Sequence, residues 1–160
     1  MNIKSIANAT IAKANNKSSL KNHDLTTGDI MQEVMDCYKE SNWQVQQFAR
    51  YLQGKTKKQT CSNVWEFVKQ NIAYKIDPAG VQWVKEPARV WADKVCDCKS
   101  YSVFIASLLK HLGIEGKFRF VSFDKHDEVP THVYIVVPNG NEELIMDCVL
   151  NKFNVEAPYQ

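Results

Sequence analysis

The chain has 160 residues, with 20 Lys and Arg against 18 Asp and Glu, a net charge of +2, 44% apolar residues and 24% charged ones. That near balance lacks the dense basic face of a dedicated nucleic-acid binder, and no stretch approaches the roughly 20 apolar residues of a membrane span, so neither nucleic acid nor membrane is expected as a partner. The length suits one domain with one substantial core.

The first 24 residues, "MNIKSIANATIAKANNKSSLKNHD", are rich in Asn, Lys, Ser and Ala and contain no aromatic residue. They read as a flexible or loosely docked arm, with residues 25–160 forming a single domain. They carry no continuous apolar core of a secretory signal. The cysteines at 37, 61, 96, 98 and 148 are odd in number and irregularly spaced. They are therefore expected as free thiols in a reducing compartment.

"TTGDIMQEVMDCYKESNWQVQQFARYLQG" has apolar residues at 30, 34, 35, 38, 45, 48, 49 and 52. Those offsets predict a helix, broken near "KESN" and ended by Gly54. "KTKKQ" reads as a solvated loop. In "TCSNVWEFVKQNIAYKID", Val64, Phe67, Val68 and Ile72 share one helical face, Ser62 is a plausible N-cap, and the helix should stop before Asp77-Pro78. "DPAGVQWVKEPARVWADKV" contains Pro78, Gly80 and Pro87 and reads mostly as loop.

Ser100 to Leu112 is apolar nearly all the way round, the pattern of a helix at the centre of a core. Gly113 stops it. The period then changes: "KFRFVSF", "THVYIVVP" and "EELIMDCV" read as strands, with "PNGN" as the hairpin turn between the last two. Helices first and about three antiparallel strands after them make an α+β arrangement, with a central helix packed on the sheet.

"VCDCKSYSVF" places Cys96 and Cys98 at the mouth of that central helix. Metal ligation would need four ligands in paired groups. No second pair exists, and His111, His126 and His132 are scattered, so no metal is expected. Burial as a small hydrophobe is the ordinary fate of a free cysteine and suits Cys37, Cys61 and Cys148. Cys98 differs, because unpaired N–H groups and the helix dipole favour a thiolate at a helix start. Those N–H groups can also stabilise an oxyanion.

A nucleophilic thiol needs a base, and the base needs an orienting acceptor. His132 opens one predicted strand and Asp147 closes the next. With the turn centred between Asn139 and Gly140, both fall near the same end of the hairpin, where an antiparallel pair makes them neighbours. His126 and His23 read as solvated residues of polar loops, and 124–130 as an exposed loop that could border a cleft.

From about Cys61 to Glu156 the chain resembles the transglutaminase-like superfamily, a branch of the papain-like cysteine enzymes. The matching boxes are "NVWEFVKQNIAYKIDPAG", "VCDCKSYSVFIASLLKHLGI", "THVYIVV" and "LIMDCV". The resemblance implies a papain-like core, with Cys98 as nucleophile, His132 as base and Asp147 as orienting acid. It also implies an oxyanion donor upstream of the cysteine, beyond the Cys98 N–H. Trp83, which lies in a loop near the box, Tyr74 and Gln82 are the candidates.

Cys96 stands where the family usually has Gly, and Lys99 and Ser100 replace an acidic pair. The implied activity is acyl transfer from an amide or peptide bond through a thioester, on a protein or peptide substrate and with no cofactor. Water as acceptor gives a protease or amidase, and an amine gives a transglutaminase. The rival is a binding or assembly module that keeps the fold without turnover. Similarity to small bacterial and phage members implies a cytoplasmic or virion-associated protein.

Overall fold

A computed structural model describes residues 1–19, 25–126 and 129–159. His23 lies outside these residues, as do Asp127 and Glu128 of the 124–130 loop. The architecture is α+β, as the sequence implies.

Helix α1 (Ile3–Thr10) starts at Asn2, whose side chain accepts from Ser5 N at 2.8 Å. Ala7 and Ile11 are buried in the main core, and Ala12 N donates to Gln44 O at 2.9 Å. This is how the described part of the 1–24 arm docks. Helix α2 (Thr27–Ser41) begins with a reciprocal cap between Thr26 and Asp29. It ends inside "KESN", where the chain passes through 3₁₀ turns at Asn42–Val45 and Arg50–Leu52 around the short helix α3 (Gln46–Ala49).

Helix α4 (Lys57–Asn71) corrects two expectations. Lys57–Gln59 of the basic run read as a loop lie in its first turn, and its N-cap is Thr56, which accepts from Gln59 N at 3.1 Å, rather than Ser62. That turn faces water and has no apolar periodicity to betray it. The helix also ends at Asn71, earlier than Asp77-Pro78 required, because Ile72 turns extended and Ala73–Tyr74 form strand β1. β1 pairs in parallel with β2 (Val95–Cys96), and each strand is only two residues long.

The stretch read mostly as loop contains helix α5 (Pro87–Asp93), with Pro87 in the first turn and Val90 and Trp91 buried. Proline suits that position because its missing N–H would have no partner there anyway.

Helix α6 (Cys98–His111) is buried from Lys99 through Leu109. Phe104, Leu108 and Leu109 are fully enclosed. It is packed by α2, α3, α4 and α5, and by the sheet. The sheet runs β3 (Lys117–Val121), β4 (His132–Asn139), β5 (Glu142–Met146), all antiparallel neighbours. Along β4, Ile135 and Val137 join the core around α6, while Tyr134 and Val136 join Val121 and Ile145 on the other face. Gly116 lets the chain enter β3 tightly: a Cβ there would lie 2.8 Å from Ile135 Cγ2.

The tail after β5 folds back on the sheet. Asn154 N donates to Ile145 O at 3.1 Å, and Ile145 N donates to Asn154 Oδ1 at 2.9 Å. Glu156 then accepts from Arg119 Nη1 at 2.6 Å and from the Tyr134 hydroxyl.

Candidate active site

Asp97 is the N-cap of α6. Its carboxylate accepts from Lys99 N at 3.1 Å and Ser100 N at 3.4 Å. Cys98 is therefore the first helical residue, held beside a capped terminus. Cys37, Cys61, Cys96 and Cys148 are buried, whereas Cys98 is partly exposed. Burial pushes the Cys37 and Cys61 thiols up to about 11 and raises Cys96 and Cys148 as well. Those four are held as neutral thiols.

His132 begins β4, and Asp147 follows the last residue of β5. His132 Nε2 donates to Asp147 Oδ2 at 2.8 Å, and both side chains are buried. Cys98 lies beside the imidazole, close enough to favour its charged form. With Nε2 engaged by Asp147, Nδ1 is the ring nitrogen left over. Burial works against a charged imidazole here, but the Asp147 hydrogen bond, then Cys98, outweigh it and push His132 up to about 9. The structure thus brings together the three side chains that the sequence singled out.

The register differs from the sequence expectation. Ile135 pairs with Met146 and Asn139 with Glu142, so the turn is centred between Gly140 and Asn141, one residue later than expected. Gly140 takes φ +66°, a conformation that glycine adopts without a Cβ penalty. On that register Asp147 continues opposite Tyr134, and His132 is its diagonal neighbour. An offset of two keeps both on one face, within reach of a long side chain.

Several supporting groups carry little sequence signal. Trp65 Nε1 donates to Asp147 O at 3.1 Å, and Lys69 Nζ donates to Cys148 O at 3.0 Å, so α4 fixes the end of β5. Asp147 Oδ1 accepts from Val149 N at 3.0 Å. Ser102 Oγ lies 2.9 Å from Cys98 O and 3.2 Å from Val133 O, which ties the first turn of α6 to the strand beside His132. The Asp97 cap could have been found, since Asp before an apolar helical run is a start signal.

The departures at 99 and 100 have structural roles. Lys99 is buried, contacts Asp97 and lies 3.4 Å from Asp77 Oδ2. Burial works against its ammonium, but Asp97 outweighs that and raises its pKa. Asp77 Oδ2 also accepts from Trp83 N at 2.7 Å. Ser100 Oγ accepts from Lys85 N at 2.9 Å. Together these bonds pin the 77–85 loop to the start of α6.

The three oxyanion candidates separate. Tyr74 stacks on Tyr101 with ring centres 6.0 Å apart, and its hydroxyl is pushed up to about 12 by burial and by the nearby Cys98. Trp83 is 54% exposed, and its backbone, not its indole, is tied to Asp77. Gln82 is exposed on the same loop. A cavity of about 270 Å³ opens beside the imidazole, and Tyr74, His132 and Asp147 are among its lining residues, whereas Trp83 and Gln82 are not. Among the described residues, no group of three or more His, Cys, Asp or Glu side chains could hold a metal ion. None of the described helices is long and apolar enough to cross a membrane.

The model of the transglutaminase-like domain family matches residues 43–159, from the 3₁₀ turn after α2 to the tail. The chain belongs to the transglutaminase-like domain family. Among solved structures, a candidate protease from Parabacteroides distasonis superposes with a TM-score of 0.62 at 13% identity, covering 76% of this chain and 26% of that one. A candidate cysteine protease from Cytophaga hutchinsonii superposes with a TM-score of 0.53 at 15% identity, covering 89% of this chain and 47% of that one. At such identities the likeness is one of fold. This transglutaminase-like chain spans about a quarter of the first structure's length and about half of the second's. No curated protein matches the sequence.

Proposed function

We propose that the protein is a cysteine-dependent acyl-transfer enzyme acting on amide or peptide bonds of a protein or peptide substrate, with Cys98 as nucleophile, His132 as acid and base, and Asp147 as orienting acid. The observation that carries this is the 2.8 Å His132–Asp147 hydrogen bond on an imidazole that has Cys98 beside it. Membership of the transglutaminase-like family supports it.

The sulfur, as thiolate, attacks the substrate carbonyl carbon. The oxyanion that forms takes a hydrogen bond from the Cys98 backbone N–H. The Asp97 carboxylate accepts from the N–H groups of residues 99 and 100 instead, which leaves that of Cys98 for the substrate. Of the side-chain candidates we favour the Tyr74 hydroxyl, which borders the cavity and keeps its proton.

As the C–N bond breaks, the imidazolium gives its proton to the leaving amine and a thioester remains. The neutral imidazole then takes a proton from water or from an incoming amine. That acceptor attacks the thioester and releases the sulfur. Water yields a carboxylate, and an amine yields a new amide.

The test has two parts. Iodoacetamide should label Cys98 ahead of the buried thiols, and His132→Ala should slow that labelling by roughly 10²-fold. A Gln-containing peptide library, incubated with and without a primary amine and read by mass, distinguishes cleavage, deamidation and amine adducts. Uniform slow labelling of all the thiols, unaffected by His132→Ala, would sink the enzyme reading in favour of a binding module.

A further inference from the structure

We infer that the cavity beside His132 is a side-chain subsite and that it selects an uncharged, apolar side chain of the substrate; this rests on the catalytic reading above.

The cavity holds about 270 Å³ and shares His132 and Asp147 with the candidate site. Its remaining lining is mostly apolar: Tyr74, Phe123, Val149, Leu150 and Ala157, with Thr131. Small pockets of this character bind through apolar contact, and a few polar groups fix orientation. Tyr74 and Phe123 remain 38% and 43% exposed, although they are large aromatic residues. Phe123 lies against the imidazole, with ring centres 5.2 Å apart. Two exposed rings at one opening, next to the reacting groups, are apolar surface that an occupant would cover.

The charges present are already committed. Asp147 Oδ2 holds His132 and Oδ1 holds Val149 N. The imidazole is held by Asp147 and lies beside Cys98. A lysine or carboxylate entering here would lose its water and meet no opposite partner, which is costly. Tyr74 and Thr131 are the hydroxyl residues of the lining, and the reading above gives the Tyr74 hydroxyl to the oxyanion, so a glutamine carboxamide would leave several of its hydrogen-bonding groups unmet. A leucine or phenylalanine would lose nothing and bury surface.

Size is set by the tail. Ala157 forms part of the wall, and the residue before it is fastened by Arg119 and Tyr134. A small residue at 157 leaves the room, and the Glu156 bonds keep the wall in place.

The test uses the full chain and dipeptidyl chloromethyl ketones in which either residue is varied among Ala, Leu, Phe, Gln, Lys and Asp. The Cys98 sulfur attacks the CH₂–Cl carbon, chloride leaves, and the thioether is read by mass. At one of the two positions, Leu or Phe should react at least about tenfold faster than Gln, Lys or Asp. Ala157→Phe should move that optimum to Ala, and Ala157→Leu should move it part of the way.

Reaction at Cys98 that is fast and His132-dependent but indifferent to the side chain overturns the subsite and leaves the catalytic reading standing. So does an optimum untouched by either folded variant. Reaction no faster than at the buried thiols, and insensitive to His132→Ala, overturns both.

Discussion

Lys99 and Asp77 meet 3.4 Å apart across 22 residues of chain, and both side chains are only 9% exposed. Lys99 also contacts Asp97, the cap of the helix that carries Cys98. Lys99 thus joins the helix that carries Cys98 to the loop that carries Trp83.

Lys99→Met should therefore leave two carboxylates buried without their cation. The expected loss of stability is about 3–5 kcal/mol, measured by urea unfolding. Lys99→Arg should lose less. In folded Lys99→Met, iodoacetamide labelling of Cys98 should also slow, because the helix start and its cap are no longer fixed.

His132 should remain protonated through neutral pH and lose its proton near 9. The imidazole C–H resonances, followed by NMR, give the midpoint directly. A histidine raised above its ordinary value near 6.5 binds its proton more tightly folded than unfolded. Its contribution to stability is thus fully present below about pH 6.5 and is lost as pH rises through 9. The ceiling on that loss is roughly 3 kcal/mol. Urea midpoints that rise across this window in the wild-type protein, with no such rise in His132→Ala, would contradict the assignment.

Asp147→Asn keeps the shape of the acceptor and removes its charge. The His132 midpoint should fall toward the ordinary histidine range. Turnover of any substrate found should drop by about 10²–10⁴, while the fold, followed by circular dichroism, is retained.

Trp65→Phe removes the indole N–H that donates to Asp147 O in a buried setting. Asp147 O keeps its bond from Leu150 N at 3.3 Å, so losing the indole bond should cost about 0.5–1.5 kcal/mol, with a further packing loss from the missing ring. Cys98 labelling should slow in this variant even under conditions where it is fully folded, because α4 holds the backbone that carries the carboxylate less firmly.

The sequence made the central parts of the site legible because their signals are local. An apolar helix with a thiol at its tip, a histidine opening a β-branched run and an aspartate closing another can each be read within about ten residues. The α+β layout followed from the same periodicities. What stayed hidden was short or distant. β1 and β2 have two residues each, too few to show alternation. α5 has only 7 residues, in a stretch that contains Pro and Gly. Thr56 caps a helix whose first turn is all polar, so the apolar pattern placed the start too late. The Lys99–Asp77 pair depends on how a loop closes, which no spacing encodes. Trp83 lies next to the box in sequence, yet it is Tyr74, paired through β1 with β2, that lines the cavity.

The histidine and the aspartate ride on the two arms of a single hairpin, and their meeting depends on the count of residues between each of them and the bend. Lengthening the tip at Gly140–Asn141 leaves both arms and their pairing as they are, so insertions should be tolerated there. One residue added within either arm is different: it swings the carboxylate to the opposite side of the ribbon and disconnects it from the ring. Evolution of this chain can therefore vary the end of the ribbon freely, while the arms are fixed in length down to the single residue.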